Sequence, residues 1–145
     1  MNEALHHLRK IFFARLNNTI TSNSALVPAY NKVPRSATAP YIKIYSVSTS
    51  EIDQNKDSYI INCETRVEVV TAFDGDSGGE LQVNQITDSV INKLRTRTSG
   101  LPDLSDDGFS CYTSTIENVQ YLEEDLKDRT YYRAVVEVSN RVEKN

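Results

Sequence analysis

The chain has 145 residues, 39% hydrophobic and 25% charged, ordinary values for one globular domain that exclude wholesale disorder. No apolar run approaches the ~18 residues of a membrane span, and Met1-Asn2-Glu3-Ala4 lacks the basic start and apolar core of a signal peptide, so a soluble protein made in a cytosol is expected. The net charge of −4 is unevenly spread: residues 1–45 hold six basic side chains against Glu3, whereas residues 103–128 hold eight acids against Lys127.

Residues 2–18 read as an amphipathic helix, with Leu5, Leu8, Phe12 and Leu16 at helical spacing and Arg9, Lys10 and Arg15 off that stripe. Asn17-Asn18 and the Thr/Ser/Asn run that follows end it, because such side chains compete for backbone hydrogen bonds. Residues 19–40 carry Pro28, Pro34 and Pro40, which bias the backbone toward extended geometry. They predict an extended arm, docked through Leu26-Val27 and Tyr30.

Tyr41–Val47 is β-branched and aromatic and predicts a strand. Tyr59–Thr71 predicts a longer one, with Tyr59, Ile61, Cys63, Thr65, Val67 and Val69 on one face and Asn62, Glu64, Arg66 and Glu68 on the other. The polar stretch Ser48–Ser58 between them reads as a long protruding hairpin loop. Ser77 and Glu80 have the spacing of a capping box ahead of a second helix, whose stripe is Leu81, Val83, Ile86, Val90 and Leu94. Lys93, Arg95 and Arg97 suit its C-terminal end, and Gly100 and Pro102 stop it. Two strands, Phe109–Leu122 and Thr130–Arg141, close the chain around a turn at Glu123–Asp128. In the last, Tyr132, Ala134, Val136 and Val138 alternate with Tyr131, Arg133, Val135 and Glu137, with Val136 and Val138 expected on the buried face.

The order α-β-β-α-β-β predicts an α+β domain spanning 1–145, with two helices packed on one face of a four-stranded, mainly antiparallel sheet. Cys63 and Cys111 are too few and too far apart for a zinc site or a disulfide framework. They read as buried free thiols, with a bridge between adjacent strands as the alternative.

Catalytic and metal-binding patterns are weak. His6 and His7 are helix neighbours that point ~100° apart, so they make no i, i+4 metal pair and read as solvent-exposed. Asp74-x-Asp76 before Gly78-Gly79 has the opening of a calcium loop, but Gly78 and Gln85 stand where further oxygen ligands are needed. Gly78-Gly79 at a helix start suits an anion only loosely, with no Walker lysine. Asp103, Asp106 and Asp107 read as a solvated acidic loop. No enzyme activity and no cofactor is expected.

A short N-terminal helix, a proline-bearing arm at 19–40 and Ala39-Pro40-Tyr41-Ile42 opening a strand resemble the tail-terminator (tail-completion) proteins of long-tailed bacteriophages. So do the long strand ending Arg66-Val67-Glu68-Val69-Val70-Thr71-Ala72, the small-residue loop, the helix to Leu94 and the final hairpin. The resemblance covers most of the chain as a pattern of elements and brings no catalytic residue with it. It implies a virion protein of the tail or neck, assembled into a ring, commonly a hexamer, that caps the tail tube and docks the head–tail connector. Its partners would be copies of itself, the tube protein and the connector protein, with DNA only as cargo through the ring and no membrane. Another head–tail connector or adaptor is the nearest alternative, and a soluble small-ligand-binding domain using the sheet face near Arg66 and Glu68 is a third.

The separated charges suit a surface whose two sides meet head to tail, and on charge alone they suit ordinary solvated faces equally well. Candidate contacts to a neighbour or the tube are therefore Arg9 and Arg15 in the basic end, Glu51, Asp53, Lys56 and Asp57 in the polar loop, and Glu123, Glu124 and Asp125 in the acidic turn. The Ser48–Ser58 loop and the acidic 103–128 stretch match no contact that the resemblance implies.

Overall fold

In the computed structural model, which describes residues 3–53, 60–74, 78–126 and 128–145, the first apolar stripe becomes helix α1 (Leu5–Leu16). A Glu3 carboxylate oxygen accepts from the Leu5 N–H, supplying a partner for one of the open donors of the first turn. The Thr19 hydroxyl donates to the Arg15 carbonyl at 2.6 Å near the other end.

The segment 19–40 is more structured than an extended arm. Strands β1 (Thr21–Ser22) and β2 (Ala25–Leu26) pair antiparallel around Asn23 and Ser24, both at positive φ, as a tight hairpin turn requires. Strand β3 (Ala29–Tyr30) then lies parallel to the start of β4 (Tyr41–Asp53). Val27 and Ala29 are buried, whereas Leu26 is exposed.

The main sheet has five strands rather than four, in the order β3-β4-β5-β7-β6, with β5 at Ile60–Asp74, β6 at Phe109–Asp125 and β7 at Arg129–Lys144. Every pairing is antiparallel except β3–β4. The class is α+β. Strand β3 escapes the sequence pattern because two residues after Pro28 cannot display an alternation.

Two expected loops prove to be strand. Residues 48–53 extend β4 and pair with 60–64 through two bulges, and the rest of the expected loop, 54–58, lies outside the described residues. Their Ser/Thr composition hides this because a ladder is a backbone interaction, while the sequence signal for a strand is side-chain burial. Likewise Glu123, Glu124 and Asp125 extend β6 and pair with Tyr132, Tyr131 and Thr130. Acids are tolerated there because the outer strand keeps their carboxylates in water.

Helix α2 (Leu81–Leu94) starts with Glu80 at the N-cap and no side-chain cap bond. Glu80 is thus three positions too early to close a capping box, and Ser77 lies outside the described residues. A single-turn helix α3 (Thr96–Ser99) follows, ending at Gly100 with φ 75°.

Both long helices lie on one face of the sheet, α1 over β4 and β5, α2 over β5 and β7. Leu5, Leu8, Phe12 and Leu16 of α1 and Val83, Ile86, Val90 and Leu94 of α2 close over Ile42, Ile44, Ile61, Val67, Val69, Ala134, Val136, Val138 and Val142. Each large side chain so buried contributes about 1.5–3 kcal/mol. The strand phases expected for 61–69 and 132–138 are those of the buried face.

Cys63 on β5 and Cys111 on β6 are separated by the whole of β7, opposite Asn140 and Val142 respectively. Two strand spacings are ~9.6 Å, beyond the ~7 Å Cα separation that a disulfide spans. Both thiols are free, and the bridge alternative falls away.

Candidate functional site

Among the described residues, the sheet has two unlike edges and one face that no helix covers. On that face, side chains from β5, β7 and β6 form a lattice of alternating charge. Arg66 Nη2 lies 3.1 Å from Glu137 Oε1. Arg133 reaches Glu68 at 3.3 Å and Glu124 at 3.6 Å. Hydrogen bonding to Tyr45, then the charge of Glu137, pushes the Arg66 pKa up. The lattice covers Val70 and Val135, which are buried although they point away from the helices. Toward the far end of β4, Val47, Ile52, Glu64, Arg66, Glu137 and Arg141 line a trough of about 580 Å³.

The edge formed by β3 and the first half of β4 is basic. Arg9 lies on the flank of α1 nearest β4, where its Nη1 donates to the Ser46 hydroxyl. Lys32 and Arg35 are exposed in the loop between β3 and β4, and Lys43 lies on β4 itself, over the Tyr45 ring. Beyond Ile44, whose carbonyl accepts from the Asn31 amide, no strand among the described residues covers the outer side of β4.

The opposite edge is β6. Its 17 residues contain four acids and neither lysine, arginine nor proline. Glu123, Glu124 and Asp125 stand together at its far end, each engaged with β7. Glu123 hydrogen-bonds Tyr132 and raises its pKa. Glu124 meets Arg133, and Asp125 accepts from the Thr130 hydroxyl at 2.9 Å. Beside the middle of β6, a groove of about 580 Å³ opens toward the end of α2, floored by Ile91, Leu94, Ile116 and Val119 and rimmed by Arg95 and Arg97.

The residues singled out in the sequence therefore divide. Arg9 belongs to the basic edge, and Glu123, Glu124 and Asp125 to the acidic one. Arg15 does not face outward, because its Nη2 donates to the Gly100 carbonyl at 3.2 Å and burial lowers its pKa. Glu51 sits near the end of β4, exposed, and Asp53 closes that strand. Lys56 and Asp57 lie outside the described residues. The trough, the groove, the outer β6 edge with its two bulges and Phe13, 41% exposed on α1, were missed. The absence of lysine and proline between 109 and 125 was the available signal, since edge strands usually carry such blockers.

The remaining titratable groups serve local structure. His7 is half-buried rather than solvent-exposed, with Nδ1 3.3 Å from Asp107 Oδ2 and its ring near Phe109. Asp103 accepts from the hydroxyl and backbone N–H of Ser105, which lowers its pKa. Among the described residues no three His, Cys, Asp or Glu side chains are grouped to hold a metal. Among them, too, no helix is long and apolar enough to cross a membrane. No protein-family model matches the chain, and a comparison with curated proteins finds no match.

Proposed function

We propose that this chain is a structural virion subunit of the tail-terminator type, assembled as a ring that caps the tail tube and offers a docking face to the head connector. The observation that carries this reading is the pair of unlike sheet edges, one basic and one acidic, on opposite sides of the same subunit. A surface of that kind joins heterologously, and heterologous contacts close into rings when the rotation permits. The α+β order and the proline-bearing segment ahead of β4 agree with the resemblance in sequence. No cofactor is required, and DNA passes through the ring as cargo.

The nearest rival is another neck ring that adapts connector to tail, and partner identity separates the two. Negative-stain images of the purified protein at high concentration test the ring, and monomers throughout would overturn it. Mixing rings with the tube protein and, separately, the connector protein of the same virus tests the position. A terminator binds the end of the tube and arrests its growth; an adaptor binds the connector and leaves tube length unchanged. Small-ligand binding in the trough of the open face is the reading from another class. It is disfavoured by Arg66 and Glu137, which satisfy each other's charge there.

A further inference from the structure

We infer that β6 and the groove beside it receive the free β4 edge and Phe13 of a second copy of this chain, so that copies join head to tail by continuing one antiparallel sheet. This deepens the ring reading by naming its contact, and it rests on that reading only for the closure of the ring.

Topology supplies the first argument. The four long strands alternate in direction from β4 through β5 and β7 to β6. A rotation about an axis along the strands preserves their directions. The β4 of the next copy then runs antiparallel to β6, the pairing with the more favourable hydrogen-bond geometry. An odd number of long strands would have forced parallel pairing.

Charge supplies the second. Ile116 is level with Ser46, reading across Val138 and Thr65. The stretch Thr113–Asn118 of β6, with Glu117 as its one charge, therefore stands at the height of the free stretch Tyr45–Ser50, which has none, while Glu51 and Asp53 lie beyond it, level with the uncharged Cys111 and Ser110. Leu122 is level with Tyr41, so Glu123, Glu124 and Asp125 come to the height at which the loop bearing Lys32 and Arg35 enters β4. Neutral meets neutral and acidic meets basic. Such matching fixes register and suppresses the reversed pairing.

The third argument is apolar. Phe13 follows Arg9 by one helical turn and shares its flank, the one that reaches β4, whereas His7 and Arg15 lean toward Asp107 and Gly100. Arg9 is at the height of Ser46. Two turns further, Asn17 accepts from the Ala29 N–H beside Ile42. Phe13 thus lies at the height of Ile44, which is that of Val119 in the floor of the groove. An exposed aromatic ring on one side and an apolar groove on the other, at one level, form a knob and its socket.

The test uses the full chain and two one-sided variants. Phe13→Arg disables the knob, and Val119→Arg disables the socket; Ser114→Arg, also in the groove, replaces the latter if Val119→Arg melts abnormally. Circular dichroism first confirms that each variant is folded. In sedimentation velocity the wild type should form closed oligomers and each variant alone should remain monomeric. An equimolar mixture of knob and socket variants should give a one-to-one dimer that grows no further, since one intact interface survives in it. Variants that assemble like the wild type, or a mixture that stays monomeric while the wild type assembles, overturn the edge contact and leave the ring reading standing. A wild type that is monomeric at every concentration overturns both.

Discussion

Val67 on β5 stands directly opposite Val136 on β7, and neither has any exposure to solvent. The pair marks the centre of the helix-covered face, in one row with Ile44 and Val119. An aspartate at this point has no basic partner in the surrounding core, and burying an unpaired charge costs several kcal/mol, comparable with the ~5–15 kcal/mol stability of a domain. Val136→Asp should therefore abolish cooperative folding. Thermal melting checks this; a cooperative transition near the wild-type midpoint would contradict the placement.

The lattice of the open face makes a second case. Arg133 serves Glu68, which is largely shielded, and Glu124, which is not. Arg133→Met removes the guanidinium and leaves the Glu68 carboxylate poorly paired, for an expected loss of about 1–3 kcal/mol. Adding Glu68→Gln should recover part of it, because the stranded charge is then gone. Urea unfolding of the two variants and the wild type measures both steps.

Burial pushes the Cys63 thiol up to about 12, with the charge of Glu3 adding to the effect. Between about pH 9 and pH 12 the unfolded chain releases this proton while the folded chain keeps it, so the unfolded state binds fewer protons and stability falls as pH rises. The contribution is complete below pH 9. Cys63→Ala should flatten part of the decline in melting temperature from pH 8.5 to 11, the rest belonging to other groups. An unchanged slope would exclude Cys63 as a contributor. Native alkylation at pH 8 should also leave Cys63 unmodified.

Glu123, Glu124 and Asp125 are each bonded to β7, yet they remain exposed and retain a field at the end of β6. Replacing all three by lysine should loosen the hairpin by no more than about 1 kcal/mol per lost exposed pair. It should slow assembly markedly at low salt, because like charges would then face Lys32 and Arg35 of the neighbour. At 1 M salt, where the screening length is ~3 Å, wild type and variant should converge. Sedimentation of both proteins at low and high salt decides the matter, and four identical distributions would mean that the two charged edges do not meet.

Much of the architecture was legible in residues whose burial repeats. The stripe Leu5, Leu8, Phe12 and Leu16 announces α1, and the alternations Ile61–Val69 and Ala134–Val138 assign strand phase correctly, because a half-buried element must write its period into its side chains. The uneven charge of the two ends was also legible, as was the absence of lysine, arginine and proline along residues 109–125. Where an element is held only by backbone ladders, as at Ala29–Tyr30, Ser48–Asp53 and Glu123–Asp125, no side-chain period exists to be read. Register and strand order likewise belong to the tertiary structure, since they depend on which backbones pair. That pairing puts β7 between Cys63 and Cys111 and sets Val119 of one outer strand level with Ile44 of the other, while the packing of the helix turns Arg15 inward to Gly100. A surface made of residues distant in sequence acquires its shape only when the chain has closed around its core.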